Sequence, residues 1–222
     1  MSKRLLAIGD THGCYVQLYT LVTELISLSR NDRLVLLGDY IDRGPDSKQV
    51  MEFIMDLKDE GYDVIALKGN HEDMMLHAAD SPLDNYNWML NGGYETLRSF
   101  DVVSVQNIDK KYMDFLSILP PYYISGNYIF VHGGFNDDID DPFSDEYSML
   151  WERRNRYDSP VFRGKTIVHG HRPHPVSELK EEIKKNPALI NMDTGCVYGK
   201  EGGLGNLTAI DLTAMKLFSV SC

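Results

Sequence analysis

The sequence predicts an α/β fold whose chemistry gathers at one sheet edge, and two observations carry that expectation. Short apolar runs alternate with amphipathic helical stretches through the first part of the chain, the pattern of successive βα units with parallel strands and right-handed crossovers. Each apolar run also closes on a Gly-centred polar corner, at the C-terminal strand edge where open α/β sheets bind ligands. At 222 residues, with 43% hydrophobic and 25% charged residues, the chain suits one globular domain spanning 1–222.

Leu5-Leu6-Ala7-Ile8 reads as a buried strand ending on Gly9-Asp10-Thr11-His12-Gly13. From Tyr15 to Leu28, apolar residues recur at helical spacing and return the chain to a second strand, Arg33 to Leu37. That strand closes on Gly38-Asp39-Tyr40-Ile41-Asp42-Arg43-Gly44, which sets anionic ligands for a cation beside a planar fork for an oxyanion. Taken alone, this loop reads equally well as a helix cap whose Asp and Arg pair with each other. A helix from Pro45 to Glu60 follows, then a strand Val64-Ile65-Ala66-Leu67 closing on Gly69-Asn70-His71-Glu72.

Glu72 to Ala79 and Tyr86 to Phe100 look helical in part, interrupted by Pro82 and by Asn91-Gly92-Gly93, and Tyr112 to Leu119 makes a short helix. This middle region reads as a lid or rim. Tyr122 to Ser125 and Tyr128 to Val131 flank a Gly126-Asn127 turn as a hairpin running into His132-Gly133-Gly134. An acidic loop, a short helix or turn from Tyr147 to Arg153 and a strand Thr166-Ile167-Val168 lead to His169-Gly170-His171-Arg172-Pro173. Leu189 to Asp193, Asn206 to Asp211 and Met215 to Val220 read as an antiparallel run joined by a Gly-rich loop.

The net charge of -11 argues against a nucleic-acid partner, because phosphate-backbone binding depends on clustered Lys and Arg. Any phosphate site here needs local positive charge from Arg or metal. No apolar run approaches the roughly 20 residues of a membrane span, so no membrane partner is expected. Cys14, Cys196 and Cys222 lack the paired spacing of a zinc site and cannot all pair within one molecule, which fits a reducing compartment and a cytoplasmic location.

Five strands thus end in Asp10/His12, Asp39/Asp42/Arg43, Asn70/His71, His132 and His169/His171. Carboxylates, imidazoles and a carboxamide without thiolates suit Mn²⁺, Fe or Zn²⁺, and they outnumber the ligands one tetrahedral ion needs. Two ions sharing a carboxylate, roughly 3.5–4 Å apart, account for the number. In this order the motifs resemble the metallophosphoesterases of the phosphoprotein phosphatase family, small bacterial and bacteriophage lambda type. Trp88 to Gly93, Leu150-Trp151-Glu152-Arg153 and Met192-Asp193-Thr194-Gly195 extend the resemblance over nearly the whole chain.

The resemblance implies a calcineurin-like fold of two mixed β-sheets sandwiched between helices. It implies two divalent ions, Mn²⁺ first, with Asp10, His12 and Asp39 on one and Asp39, Asn70, His132 and His171 on the other. A hydroxide bridging them would attack phosphorus in line, with Arg43 and Arg153 clamping phosphate, Asn70 touching it, and His71, oriented by Asp42, as proton donor. His169 is the neighbouring alternative to His171 and is read as supporting rather than ligating; Arg154 is the register rival of Arg153. Cys14 reads as a small packing residue and Asp193 as a structural carboxylate.

The expected substrates are phosphoserine and phosphothreonine in proteins, with phosphotyrosine left open. A symmetrical dinucleoside tetraphosphate hydrolase shares the metal centre. The resemblance implies that such enzymes usually lack the Asp42 equivalent and carry Asp where this chain has Glu72. An inactive metal-binding interaction module is the rival of another class, and it predicts a broken ligand set.

Overall fold

A computed structural model describes residues 3–185 and 187–222. Two mixed sheets form its centre. The first has the order β3-β2-β1-β8-β9, from Asp63–Ala66 (β3), Arg33–Leu36 (β2), Leu5–Ile8 (β1), Asn206–Asp211 (β8) and Lys216–Ser221 (β9). The second has the order β4-β5-β6-β7, from Tyr122–Ser125 (β4), Tyr128–Val131 (β5), Thr166–His169 (β6) and Leu189–Asn191 (β7). β1, β2 and β3 run parallel, as the βα pattern predicts, and β4 and β5 pair as the expected hairpin.

The central strands β1, β2, β5 and β6 read as near-continuous apolar runs because both of their faces are covered. One face of the first sheet, with Leu6, Ile8, Leu34 and Leu36, packs on helices α1 (Tyr15–Thr20), α2 (Ser47–Asp59), α3 (Asn70–Ala78) and α6 (Lys110–Ser117) through Leu18, Ile54, Met75 and Leu116. Its other face meets the second sheet, where Ala7, Val35 and Ile210 contact Phe130, Val168 and Ile190. Beyond the second sheet, Ile129, Val131 and Ile167 are capped by Phe135, Phe162 and Met149, the last on α7 (Glu146–Trp151).

Several local expectations differ from what forms. β7 does not join β8 and β9 in one antiparallel run; it lies parallel to β6 in the second sheet, and only β8 and β9 form an antiparallel pair, with β8 beside β1. A helix, α8 (Val176–Ile183), fills the segment between β6 and β7 that the apolar pattern left unassigned. Pro82 opens a helix instead of interrupting one: it stands in the first turn of α4 (Pro82–Trp88), with the Ser81 hydroxyl accepting from the Asp84 N–H. Asn91-Gly92-Gly93 lies within a π-turn, Met89–Gly93, that joins α4 to α5 (Tyr94–Ser99). Cys196 and Cys222 are joined by a disulfide, with Cα atoms 5.7 Å apart, against the expectation of reduced thiols. Among the described residues, no helix is long and apolar enough to cross a membrane.

At the N-terminal sheet edge, Arg4 before β1 donates to both Asp32 oxygens before β2, and Ser29 adds two further donors from its N–H and hydroxyl. These donors hold the buried Asp32 carboxyl below its ordinary range, the Arg4 hydrogen bond most of all. Asp32→Ala should therefore destabilise the fold by about 1–3 kcal/mol near neutral pH, read from the urea midpoint. Because the folded carboxyl is the stronger acid, its contribution is present above about pH 4 and fades as pH falls through its folded value. The mutant's deficit should shrink in acid.

Candidate metal centre

The C-terminal ends of β1, β2 and β3 meet those of β5 and β6, and the corners following them fill the junction. Asp10, His12, Asp39, Asn70, His71, His132 and His171 are all buried there. Several of these corners hold L-residues in the left-handed region: His12 (φ 44°), Asp39 (54°), Asp42 (69°), Arg43 (68°) and His171 (69°). Such conformations persist only where surrounding bonds enforce them. Glu72 supplies one such restraint. Its carboxylate accepts from the backbone N–H groups of Asp39 and Gly69 through one oxygen and of Tyr40 through the other, each at 2.8 Å.

Asp39 sits at the centre of the cluster. Its Oδ2 lies 3.5 Å from His12 Nε2, 3.4 Å from His132 Nε2 and 3.9 Å from His71 Nε2. His12 Nδ1 is 2.8 Å from the Ile41 carbonyl and His132 Nδ1 is 2.8 Å from the Leu37 carbonyl. A ring nitrogen facing a carbonyl carries the proton, which leaves each Nε2 lone pair aimed inward. Asn70 Oδ1 stands 2.9 Å from His132 Nε2 and 3.0 Å from His171 Nδ1. His12, Asp39 and His71 form one group whose potential ligand atoms lie within 4.8 Å of one another, and Asp39, His132 and His171 form a second. Asp10 adjoins them, its two oxygens accepting from the His171 N–H.

Charge in this pocket is poorly compensated. Burial pushes Asp10 well up, aided by Asp193, and pushes Asp193 up to about 6. His12 and His171 are pushed down to about 3 by burial, so both are neutral and able to ligate. His132 goes the other way: burial opposes it, but Asp39 and Asp10 draw it up to about 10. A proton there takes the place of positive charge that the carboxylates demand. Inward lone pairs, neutral imidazoles and uncompensated carboxylates are the donor set of a divalent cation site.

Beside this cluster, His71 Nδ1 is 2.7 Å from Asp42 Oδ2. The fully buried Asp42 carboxylate also accepts from Trp88 Nε1 and from the Thr96 hydroxyl. Burial lowers His71 to about 4 and raises Asp42 well above its ordinary value. Burial thus disfavours charge on both partners, which are joined through the 2.7 Å bond between His71 Nδ1 and Asp42 Oδ2. Trp88 and Thr96 escaped assignment as Asp42 partners because they lie 46 and 54 residues away in sequence.

Arg43 Nη1 stands 2.7 Å from His12 Nε2, with the guanidinium 5.5 Å from the Tyr198 ring centre. Its backbone N–H donates to the Gly92 carbonyl; a Cβ on Gly92, at φ 106°, would lie 2.7 Å from the Arg43 nitrogen. Arg154 pairs with Asp138 and Glu152, whereas the charge of Arg153 acts on His171. His169 is buried against Arg172, with Nε2 2.8 Å from Nη2, and Asp193 accepts from the Gly195 N–H. His77 is exposed, while His174 is half-buried with Nε2 against the Asn191 carbonyl.

Residues 3–201 match the family model of the calcineurin-like phosphoesterases. The chain belongs to that family. It is similar to an asymmetrical bis(5'-nucleosyl)-tetraphosphatase, PrpE of Anoxybacillus flavithermus, at 28% identity over 96% of this chain and 92% of the relative. It is also similar to serine/threonine-protein phosphatase 2 of Salmonella typhimurium, at 29% identity over 76% of this chain and 79% of the relative. A Saccharomyces cerevisiae protein serine/threonine phosphatase shares the fold with a TM-score of 0.69, at 16% identity over all of this chain and 80% of that one. As a calcineurin-like phosphoesterase the protein is a metal-dependent hydrolase, and its His and Asp clusters are able to hold the metal.

Glu72→Gln tests the scaffold of this centre. The amide would set an N–H group against a backbone donor and release the turn that aims Asp39. Mn²⁺ affinity, measured by titration calorimetry, should fall about ten-fold or more, with a lower thermal midpoint.

Proposed function

We propose that the protein is a two-metal phosphomonoesterase acting on phosphoserine and phosphothreonine in proteins. The observation that carries this reading is the buried Asp42–His71 pair, supported by Trp88 and Thr96, beside a cluster fit for cations. A serine alkoxide is a poor leaving group and needs a proton, while a nucleotide leaving group needs little. Asp10, His12 and Asp39 would hold one ion and Asn70, His132 and His171 the other, with Asp39 shared; oxygen and nitrogen ligands of this kind accept Mn²⁺, and also Fe or Zn²⁺. Divalent ions bound there acidify water near neutral pH and draw charge from phosphoryl oxygens.

The chain's own groups do the rest. Arg43 and Arg153 neutralise the remaining phosphoryl oxygens, supplying local positive charge within a chain of net charge -11. Asn70 adds a donor through its amide nitrogen. His71 gives its Nε2 proton to the departing oxygen while Nδ1 recovers one along the bond to Asp42. A dinucleoside tetraphosphatase is the second reading, favoured by the PrpE relative that aligns with 96% of this chain.

Mn²⁺-loaded protein should release phosphate from a phosphoserine peptide faster than metal-stripped protein, and faster than it splits diadenosine tetraphosphate. Rapid cleavage of the dinucleotide with no peptide turnover would establish the second reading. His71→Asn should slow the phosphoserine peptide by about 10²–10⁴-fold. The loss should be much smaller for p-nitrophenyl phosphate, whose leaving group needs no acid. Equal losses on both substrates would remove His71 from the role of proton donor.

A further inference from the structure

The three cysteines, scattered at 14, 196 and 222, converge on one spot. Their sulfurs lie within 4.8 Å of one another, with Cys196 bonded to Cys222 and Cys14 a buried thiol. The cluster adjoins both the turn after β1 and the turn that carries Tyr198. Cys14 follows the His12 turn and its Sγ donates to the His12 carbonyl at 3.6 Å. Cys196 opens the short helical turn Cys196–Tyr198, whose last residue lies over the Arg43 guanidinium. Tyr198 is itself 44% exposed, so packing alone fixes it weakly. The disulfide is the covalent anchor of that turn to β9, whose end is also held by the Cys222 N–H donating to the Gly205 carbonyl.

We propose that the Cys196–Cys222 disulfide is a redox-sensitive element of the phosphate site, holding Tyr198 over Arg43 when closed and weakening phosphate binding when a dithiol reductant opens it. This rests on the reading of Arg43 as the phosphate clamp. Opening breaks the S–S bond; the dithiol gives two electrons and two protons, leaving as a cyclic disulfide, and Cys196 and Cys222 become thiols. Two sulfurs that part from bonding to van der Waals distance beside the buried Cys14 push the turn outward at its exposed end, Tyr198. Arg43 then loses the aromatic face that orients it, and Tyr198 is a positioning residue for the clamp.

The test compares oxidised protein with protein reduced by dithiothreitol, desalted without air and reloaded with Mn²⁺. Maleimide labelling and peptide mapping establish that Cys196 and Cys222 were opened. Reduction should raise KM for p-nitrophenyl phosphate and the inhibition constant of inorganic phosphate about three- to ten-fold, with kcat changed less than two-fold. Tyr198→Leu should reproduce that change and no longer respond to reduction, while Tyr198→Phe, which keeps the aromatic face, should behave as the parent. Mapped reduction that leaves both constants unchanged overturns the proposal, as does a Tyr198→Leu variant with parental phosphate affinity. Loss of kcat and thermal stability together on reduction would also overturn it, since that marks general loosening. Arg43→Ala separates the two readings: if it loses phosphate affinity while reduction and Tyr198→Leu do not, only the disulfide proposal falls. If Arg43→Ala retains affinity, the clamp reading itself is wrong.

Discussion

The three hydrogen bonds accepted by Glu72 fix the geometry on which the centre depends. One buried carboxylate ties Gly69, Asp39 and Tyr40 together, so the corner after β2 and the corner after β3 become a single rigid unit. Without that tie, Asp39 at φ 54° would relax toward the ordinary extended or helical regions and swing its carboxylate away from the imidazoles. A left-handed L-residue costs about 1–3 kcal/mol. Five such residues lie in or beside the cluster, so their combined strain must be offset by bonds of this kind, and Glu72 supplies three of them. The cost of burying Glu72 is visible in its own carboxyl, which burial and Asp39 push up to about 7.

Asp42 repeats the principle one corner away, and it changes the standing of the helices around residue 90. These do not merely border the site. α4 brings Trp88 to the Asp42 carboxylate, α5 brings Thr96 to its carboxylate and its N–H, and the π-turn between them brings the Gly92 carbonyl to the Arg43 N–H. The wider π-turn and paired glycines follow from this contact: a Cβ on Gly93 would stand 2.6 Å from the Trp88 ring, and one on Gly92 would meet Arg43. A displacement of these helices is therefore felt at both proton donor and clamp.

What could be read from the sequence was local in origin. Apolar strands closing on Gly and a polar residue announce themselves within a few residues, and so β1, β2, β3, β5 and β6 and the corners after them were legible. What escaped was set by partners distant in sequence. β7 is too short, at three residues, to declare its neighbour, and only the sheet decides that it pairs with β6 instead of β8. Glu72 looked like an ordinary acidic residue in the first turn of a helix, because its acceptors' targets at Asp39 and Tyr40 lie more than 30 residues earlier. Cys196 and Cys222 gave no spacing signal, since their pairing follows from the hairpin of β8 and β9 returning the chain to its start. Pro82 resembles a break in sequence, yet the Ser81 cap and its first-turn position make it a beginning.

The balance of charge within the centre explains why such a cluster can persist in a chain that is acidic throughout. Asp10, Asp39 and Asp193 are buried, Asp39 within 3.5 Å of the His12 and His132 rings, and no lysine or arginine side chain forms an ion pair with any of the three among the described residues. Taking isolated carboxylates out of water is prohibitive unless something positive accompanies them. Burial disfavours the ionised form of Asp10, and Asp39 and Asp10 draw His132 up to about 10. A divalent ion competes for the same lone pairs. Its uptake must displace protons from its ligands, which makes metal affinity rise with pH. The corners that look strained when taken singly are therefore coherent as a set: each turns an oxygen or nitrogen toward a volume of concentrated negative charge, and only cations make that arrangement stable.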